Sequence, residues 1–222
     1  MRNIFTKKWH RKMQVAGFLT FHETKEDWDN DVAWYEAEGR NFEEECRRDL
    51  EHYKRDLLEF LPESFHPYIH DGTIRSQFPS PELRAMAEQW KKEYDEHNRS
   101  QYSEYRSRFL SIQGRLPKNV VQLYEKSLHD ARVLSFEIPN KDTFSMVLDC
   151  SGAFHYYTDI RLTFKGVDID SLNISEVFVG SSWIYDEVYL ANTGFELHVL
   201  LESPLGELTI TAQDIEIEIL DR

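Results

Sequence analysis

Hydrophobic residues recur every three to four positions over residues 24–132, which is the spacing of helices that bury one face. Thr24 followed by Asp27 has the pattern of a capping box, and it is predicted to open a first helix. A second helix is predicted to begin after Asn41 and to end before Pro62. This half of the chain is therefore predicted to be helical.

A longer helix is predicted next. Ser80 and Pro81 suit its N-cap and first position, and its apolar stripe continues to Ile112. The polar stretch 95–101 interrupts the stripe, so the pattern fits either one long helix or two shorter ones. Apolar residues over 120–131 predict a last helix.

After residue 132 the period of the pattern changes from 3.6 to 2, which is typical of antiparallel strands with one buried face. The predicted strands cover residues 133–138, 144–148, 159–165, 183–190, 195–201, 208–210 and 214–219. The chain is thus predicted to have an α+β fold. An N-terminal helical bundle, residues 1–132, precedes an antiparallel, meander-like β-sheet subdomain, residues 133–222.

Composition limits the class of protein. Of the 222 residues, 41% are hydrophobic and 14% aromatic, which is enough to build a core and argues against intrinsic disorder. Uncharged stretches are too short for a membrane-spanning helix, and the basic start lacks the unbroken apolar run of a signal peptide. Cys46 and Cys150 lie far apart without CxxC spacing, so neither a disulfide framework nor a zinc ribbon is predicted. We expect a cytoplasmic protein that makes no contact with a membrane.

Charge is distributed unevenly along the chain. The 40 acidic and 26 basic residues leave a net charge of −14. From residue 133 onward there are 16 acids and 4 bases, 4 − 16 = −12, whereas residues 1–132 have 22 − 24 = −2. Phosphate would be repelled by the strand half, so a nucleic acid is not predicted as a partner. A basic protein is the predicted partner instead.

The first 13 residues carry five basic side chains, and the first acidic residue is Glu23. Such a segment is compatible with an arm that binds nucleic acid or anionic lipid. In a chain this acidic, pairing of these cations with water or with the protein's own carboxylates is the favoured interpretation.

Common catalytic motifs are absent from the sequence. The nine glycines form neither a phosphate-binding nor a nucleophile-elbow motif. His66 and His70 have the i, i+4 spacing of metal ligands, but Pro67 lies between them and the HExxH glutamate is missing. They are predicted to be a pair of loop histidines. No catalytic residue, no metal ligand and no cofactor is predicted.

Two candidate pairs of titratable residues remain. His129 and Asp130 lie where the helices give way to the strands, and a cap or a hydrogen bond across that junction is favoured over a catalytic dyad. Glu187 and His198 lie on consecutive strands of a predicted hairpin, where they are able to face each other as an acid/base pair or half of a metal site. Together the four residues define an alternative function, a metal-dependent hydrolase with its site at the helix–sheet junction.

Two further sets of residues lie on strand faces. Trp183, Tyr185, Glu187 and Tyr189 occupy every second position and so share one strand face. This face is predicted to pack against the helical half, with a ligand-binding wall as the alternative. Glu216 and Glu218 lie about 7 Å apart along the last strand. They resemble a glycosidase carboxylate pair, but an acidic solvent face on an edge strand is the favoured interpretation.

Several short strings carry a resemblance to a known family. They are Phe5-Thr6-Lys7, Leu61-Pro62, His70-Asp71-Gly72, Leu128-His129-Asp130-Ala131, Trp183-x-Tyr185-x-Glu187 and Glu196-Leu197-His198. Together they resemble an uncharacterised family of Gram-positive bacterial proteins that is catalogued as a domain of unknown function. The resemblance covers nearly the whole chain. It implies a cytoplasmic location and the order of helices before sheet, but it contributes no activity and no catalytic residue.

The sequence favours a protein-binding module over an enzyme. In this interpretation the acidic sheet docks a basic partner, as inhibitors of basic enzymes and immunity proteins do. The predicted partner-binding residues are Trp183, Tyr185, Glu187, Glu216 and Glu218. The alternative junction site consists of His129, Asp130 and His198, with Glu187 beside them.

Overall fold

A computed structural model describes residues 3–220 and confirms the predicted α+β fold. Within that range there are seven α-helices: α1 Lys7–Phe18, α2 Lys25–Ala37, α3 Phe42–Phe60, α4 His66–His70, α5 Thr73–Ser76, α6 Pro81–Ile112 and α7 Lys118–Glu125. Seven strands follow: β1 Ala131–Asn140, β2 Thr143–Asp149, β3 Asp159–Lys165, β4 Ser182–Leu190, β5 Phe195–Glu202, β6 Gly206–Ala212 and β7 Asp214–Leu220.

The predicted helix caps are confirmed. The hydroxyl of Thr24 accepts a hydrogen bond from the backbone N–H of Asp27 at 3.0 Å, and the Asp27 carboxylate accepts from the N–H of Thr24 at 3.3 Å. Asn41 caps α3, and the hydroxyl of Ser80 accepts from Leu83 N at 3.1 Å to cap α6. Helix α6 runs unbroken through its polar middle, so the long-helix alternative is the right one.

Two local predictions are wrong. Helix α7 ends at Glu125, well short of residue 131, and Asp130 adopts a left-handed backbone with φ 69° before β1 begins. His66 and His70 do not lie in a loop but form the ends of α4. Pro67 is compatible with this short helix because it occupies the first turn, where its missing N–H has no partner to lose.

The chain packs into two compact units. The first, here the β unit, contains residues 3–9 and 101–220, and the second, here the helical unit, contains residues 10–100. This division differs from the predicted boundary between residues 132 and 133. The reason is that the end of α6 and helix α7 belong to the core of the sheet, to which they contribute Phe109, Val120 and Leu123.

Within the β unit, the antiparallel sheet has the order β6-β5-β4-β1-β2-β3-β7. Its two edge strands, β6 and β7, follow each other in the chain with Gln213 alone between them. The sheet therefore curls, and the rings of Phe164 on β3 and Phe195 on β5 lie 6.4 Å apart between their centroids. Gly194 allows this closure because a Cβ there would lie 2.1 Å from the Ala212 carbonyl oxygen.

The core of the β unit is built from one face of the curled sheet. Its fully buried side chains include Val133, Phe144, Met146, Leu148, Ile160, Leu162, Phe164, Leu197, Val199, Leu208, Ile210 and Ile215. The helical unit has a separate core, which includes Val15, Leu50, Leu57, Ile69, Ile74 and Leu83. Over residues 3–220, no helix is long and apolar enough to cross a membrane.

Candidate functional site

Glu187 on β4 is 0% exposed and binds the backbone of a segment that runs into the first residue of α1. We call this segment, residues 4–7, the strap. The carboxylate of Glu187 accepts hydrogen bonds from Ile4 N at 2.9 Å and from Phe5 N at 3.0 Å. Its other oxygen accepts from the hydroxyl of Tyr189 at 2.5 Å. Three donor groups thus satisfy a carboxylate that would otherwise be costly to bury.

His198 on β5 binds the same segment. It lies directly opposite Glu187 in the β4–β5 register, which confirms the predicted pairing across the hairpin. Its Nε2 is 3.0 Å from the carbonyl oxygen of Phe5, and its Nδ1 is 3.3 Å from the hydroxyl of Thr209. Because a carbonyl only accepts, Nε2 carries a proton in this arrangement. The predicted acid/base pair therefore holds a piece of backbone.

An aromatic cluster covers the strap. The ring of Phe5 is stacked on that of Tyr185 at 4.9 Å and lies 5.4 Å from that of Tyr102. Phe5 is 5% exposed and packs with Ile184 and Leu200 in a small core of its own. Burial of this ring is the main apolar contribution to holding the strap.

Lys7 fixes the other end of the strap. Its Nζ is 2.5 Å from Oε1 of Glu176, and its backbone N–H donates to Oε1 of Glu207 at 2.6 Å. The hydrogen bond from Lys7, with a second from Glu207 N, lowers the pKa of Glu176 below its ordinary value. The pairing of the basic start with the protein's own carboxylates is confirmed at this residue. Within the helical unit, Arg11 likewise pairs with Asp56.

The alternation predicted along β4 is interrupted. A register shift between Trp183 and Tyr185 marks a bulge at Ile184. As a result Trp183, 0% exposed, faces the main core of the sheet, whereas Tyr185 and Glu187 face the strap. Trp183 and Glu187 are thus buried rather than displayed on a surface, and their predicted role in binding a partner stays untested.

The junction residues form a second group. Nδ1 of His129 is 3.1 Å from Oδ2 of Asp130, but the angles are not those of a hydrogen bond. Among the described residues this buried nitrogen has no hydrogen-bond partner. The His129 ring packs edge-on against Tyr185 at 5.3 Å. The structure therefore places His129 and Asp130 beside Tyr185, and Glu187 and His198 beneath the strap.

Sequence reasoning missed Asp186 in this group. Its carboxylate accepts a hydrogen bond from Nε1 of Trp183 at 2.8 Å. Burial raises the pKa of Asp186 to about 6, and the nearby charge of Glu187 adds to the rise. The alternating pattern assigns Asp186 to the opposite face from Trp183, and the bulge that brings the two together leaves no mark in the sequence.

Glu216 and Glu218 lie exposed on β7, which is an edge strand as the sequence indicates. Each is opposed by a basic side chain of β3: Lys165 pairs with Glu216, and Arg161 pairs with Glu218 at 2.8 Å. These two carboxylates are therefore partly neutralised within the sheet.

Other exposed acids gather where three turns of the sheet meet. Asp142 lies in the β1–β2 turn, and its carbonyl oxygen accepts from Val167 N, next to Asp168. Asp214 lies opposite the end of β3 in the β3–β7 register. We call the four exposed residues Asp142, Asp168, Asp170 and Asp214 the acidic end.

Comparison with known families agrees with the resemblance read from the sequence. Residues 4–212 match the family described as "Protein of unknown function (DUF4085)". The chain belongs to this family. No curated protein matches the chain. In this DUF4085 protein the matched span begins at the strap and ends with β6, so it contains both partners of the strap contact. Its bacterial origin and cytoplasmic location stay predictions.

No group of three or more His, Cys, Asp or Glu side chains is arranged to hold a metal ion within residues 3–220 of the DUF4085 protein. What it does contain is a set of polar side chains on the neighbouring strands β4, β5 and β6 that bind its own strap. They are Glu187, His198 and Glu207, and we call the site that they form the groove.

Proposed function

We propose that this DUF4085 protein is a protein-binding module, not an enzyme, and that its β unit docks a basic protein through the acidic end. The observation that carries the proposal is the charge of the sheet region. Without Asp221 and Arg222, residues 133–220 hold 16 − 1 = 15 acids and 4 − 1 = 3 bases. Ion pairs within this region are thus able to neutralise three acids at most.

Two of these three bases are already engaged. Lys165 pairs with Glu216 and Arg161 with Glu218. The third base, Lys141, is the neighbour of Asp142, and Lys165 lies opposite Asp214, so the four acids of the acidic end outnumber the bases of this region beside them. A patch of one sign attracts an oppositely charged protein over several ångströms and orients it before contact. The partner is therefore expected to present lysines and arginines, as a basic enzyme or toxin does to its inhibitor or immunity protein.

The strap contacts support a role other than catalysis for the residues that the sequence offered as an acid/base pair. Glu187 and His198 form hydrogen bonds with the backbone of Ile4 and Phe5. In this state both side chains hold the strap.

The test compares two variants of equal charge. In one, Asp142, Asp168, Asp170 and Asp214 are all changed to Asn. In the matched control, four exposed acids of the helical unit, Glu36, Glu38, Asp95 and Glu96, are changed to their amides. Tagged proteins are used to capture a partner from cells that express the natural chain, and binding is then measured with the purified partner.

We expect a basic partner whose affinity falls at least about tenfold between low and high salt. Binding should be lost in the acidic-end variant and kept in the control. Equal loss in both variants, binding that is indifferent to salt, or capture of no basic protein would each contradict the proposal.

A further inference from the structure

We propose that the groove that holds the strap also takes the strap of a second copy of this chain, so that two copies exchange residues 4–7 reciprocally. This inference is independent of the acidic end and concerns the contacts of Glu187, His198 and Lys7 described above.

The first argument is that the groove recognises backbone. Glu187 accepts from the N–H groups of Ile4 and Phe5, and His198 donates to the carbonyl of Phe5. Such main-chain recognition is a recurring way to bind a short segment supplied by another chain. The contacts are the same whichever copy supplies the segment.

The second argument is that the groove also specifies side chains. An aromatic ring fills the site lined by Tyr185, Ile184 and Leu200. Two residues later, the groove offers the carboxylates of Glu176 and Glu207 to a lysine and its backbone N–H. A segment with an aromatic residue, any residue and a lysine fits this groove, and the strap of a second copy has that chemistry by identity.

The third argument is the path of the chain. After Trp9 the chain leaves the β unit and returns at Gln101, so 100 − 10 + 1 = 91 residues lie between Trp9 and the next part of that unit. In the direction of α1, therefore, the strap is held in the β unit mainly by non-covalent contacts. Exchange of an identical element between two copies is a known route to a dimer because the same groove contacts form in both copies.

An empty groove is disfavoured, which favours exchange over simple opening. Withdrawal of the strap would take two backbone donors from the fully buried Glu187 and would expose Phe5. Both changes are unfavourable. A strap that leaves is therefore expected to be replaced by another strap, and reciprocal replacement closes a two-fold dimer.

The experiment uses chains with single added cysteines that leave Phe5, Lys7 and Glu176 themselves unchanged. Lys8→Cys lies next to Lys7, and Ser175→Cys lies next to Glu176. The two single variants are mixed, refolded together at protein concentrations approaching the millimolar effective concentration of a tethered segment, and treated with a short bismaleimide. The natural thiols are slow to react, because burial raises the pKa of Cys46 and raises that of Cys150 to about 12.

We expect a cross-linked species of twice the chain mass from the mixture. Adding Lys7→Glu to the Lys8→Cys copy should reduce its yield at least about tenfold, since like charges then meet at Glu176. The control mixture of Lys8→Cys with Glu216→Cys should give no such species.

Sedimentation of the unmodified chain over the same concentrations gives a second readout. We expect a dimer that disappears in Lys7→Glu and in Phe5→Ala. A monomer at every concentration overturns the proposal, whatever the cross-linking yield. A dimer that persists in both strap variants overturns it as well.

Discussion

Two sets of glutamates in the sheet look alike in sequence and behave in opposite ways. Glu187 on β4 and Glu216 and Glu218 on β7 all lie in segments that the sequence predicts to be strands. Glu187 is buried and holds the strap, whereas the β7 pair is exposed and faces basic residues of β3. The role of each glutamate thus depends on the groups that it contacts. For Glu187 one of these groups is the N–H of Ile4, which lies 183 positions away in the chain. A strand pattern identifies a face but not what covers it.

The largest expected difference between the two sets comes from removing the buried carboxylate. Glu187→Ala leaves the N–H groups of Ile4 and Phe5 without their acceptor, so we expect the free energy of unfolding to fall by about 3 kcal/mol. Urea denaturation measures the change, with Glu216→Ala as the exposed control. If both substitutions cost the same, the contrast between buried and exposed carboxylates is mistaken.

The next effect isolates the apolar part of the strap. Phe5→Ala removes the ring stacked on Tyr185, and we expect a loss of about 2 kcal/mol. This is less than in a central core site because the strap is able to detach without unfolding the sheet. Amide hydrogen exchange should accelerate at Ile4 and Phe5 while the β2–β3 amides stay protected. Equal acceleration in both places would contradict this.

A third prediction concerns Asp186, which is neither fully buried nor paired with a base. Its pKa is raised to about 6 in the folded protein, so protonation favours folding. The stability that this group contributes is present below about pH 4 and is lost as the pH rises to 6. Asp186→Asn should therefore be more stable than the natural protein above pH 6, by about 1–2 kcal/mol since water reaches part of the side chain.

Urea titrations at pH 4, 5, 6 and 7.5 test the Asp186 prediction. The stability difference between the variant and the natural protein should grow from pH 4 to pH 6 and then level off. A difference that is constant across this range would show that the charge of Asp186 is not its cause.

The smallest effect is expected at the exposed pairs. Glu216→Gln and Glu218→Gln each remove one ion pair with β3 at the surface, and we expect changes below about 0.5 kcal/mol. Added salt should shrink even these differences. Thermal unfolding at two ionic strengths gives the measurement. A loss of stability above about 1 kcal/mol in either variant would show that these exposed pairs contribute more than the structure indicates, as the buried Glu187 does.

Much of the fold was readable from local signals. Thr24, Asn41 and Ser80 indicate where helices begin. Each side chain accepts a hydrogen bond from the backbone N–H three residues later, so the signal is local. The facing of Glu187 and His198 followed from a short hairpin whose register its turn fixes.

The rest depends on contacts between distant parts of the chain. The sequence pattern of Phe5 and Lys7 indicates a basic, amphipathic start but not the groove that receives it. The bulge at Ile184 inserts one residue into β4 without a turn residue or other mark in the sequence, so the opposite orientations of Trp183 and Tyr185 could not be predicted. For the same reason the role of Glu187 as an anchor was not foreseen.

The long separation between the strap and Glu187 has a consequence during synthesis. At typical translation rates the ribosome needs roughly 10 to 40 s to add the 183 residues from Phe5 to Glu187 after Ile4 is made. During that interval Phe5 and Lys7 exist before the groove that binds them has been made. Residues 10–100 are made in the meantime and are free to fold first. A nascent chain of this kind exposes its strap to chaperones, and to neighbouring chains on the same messenger, until β4 and β5 are made.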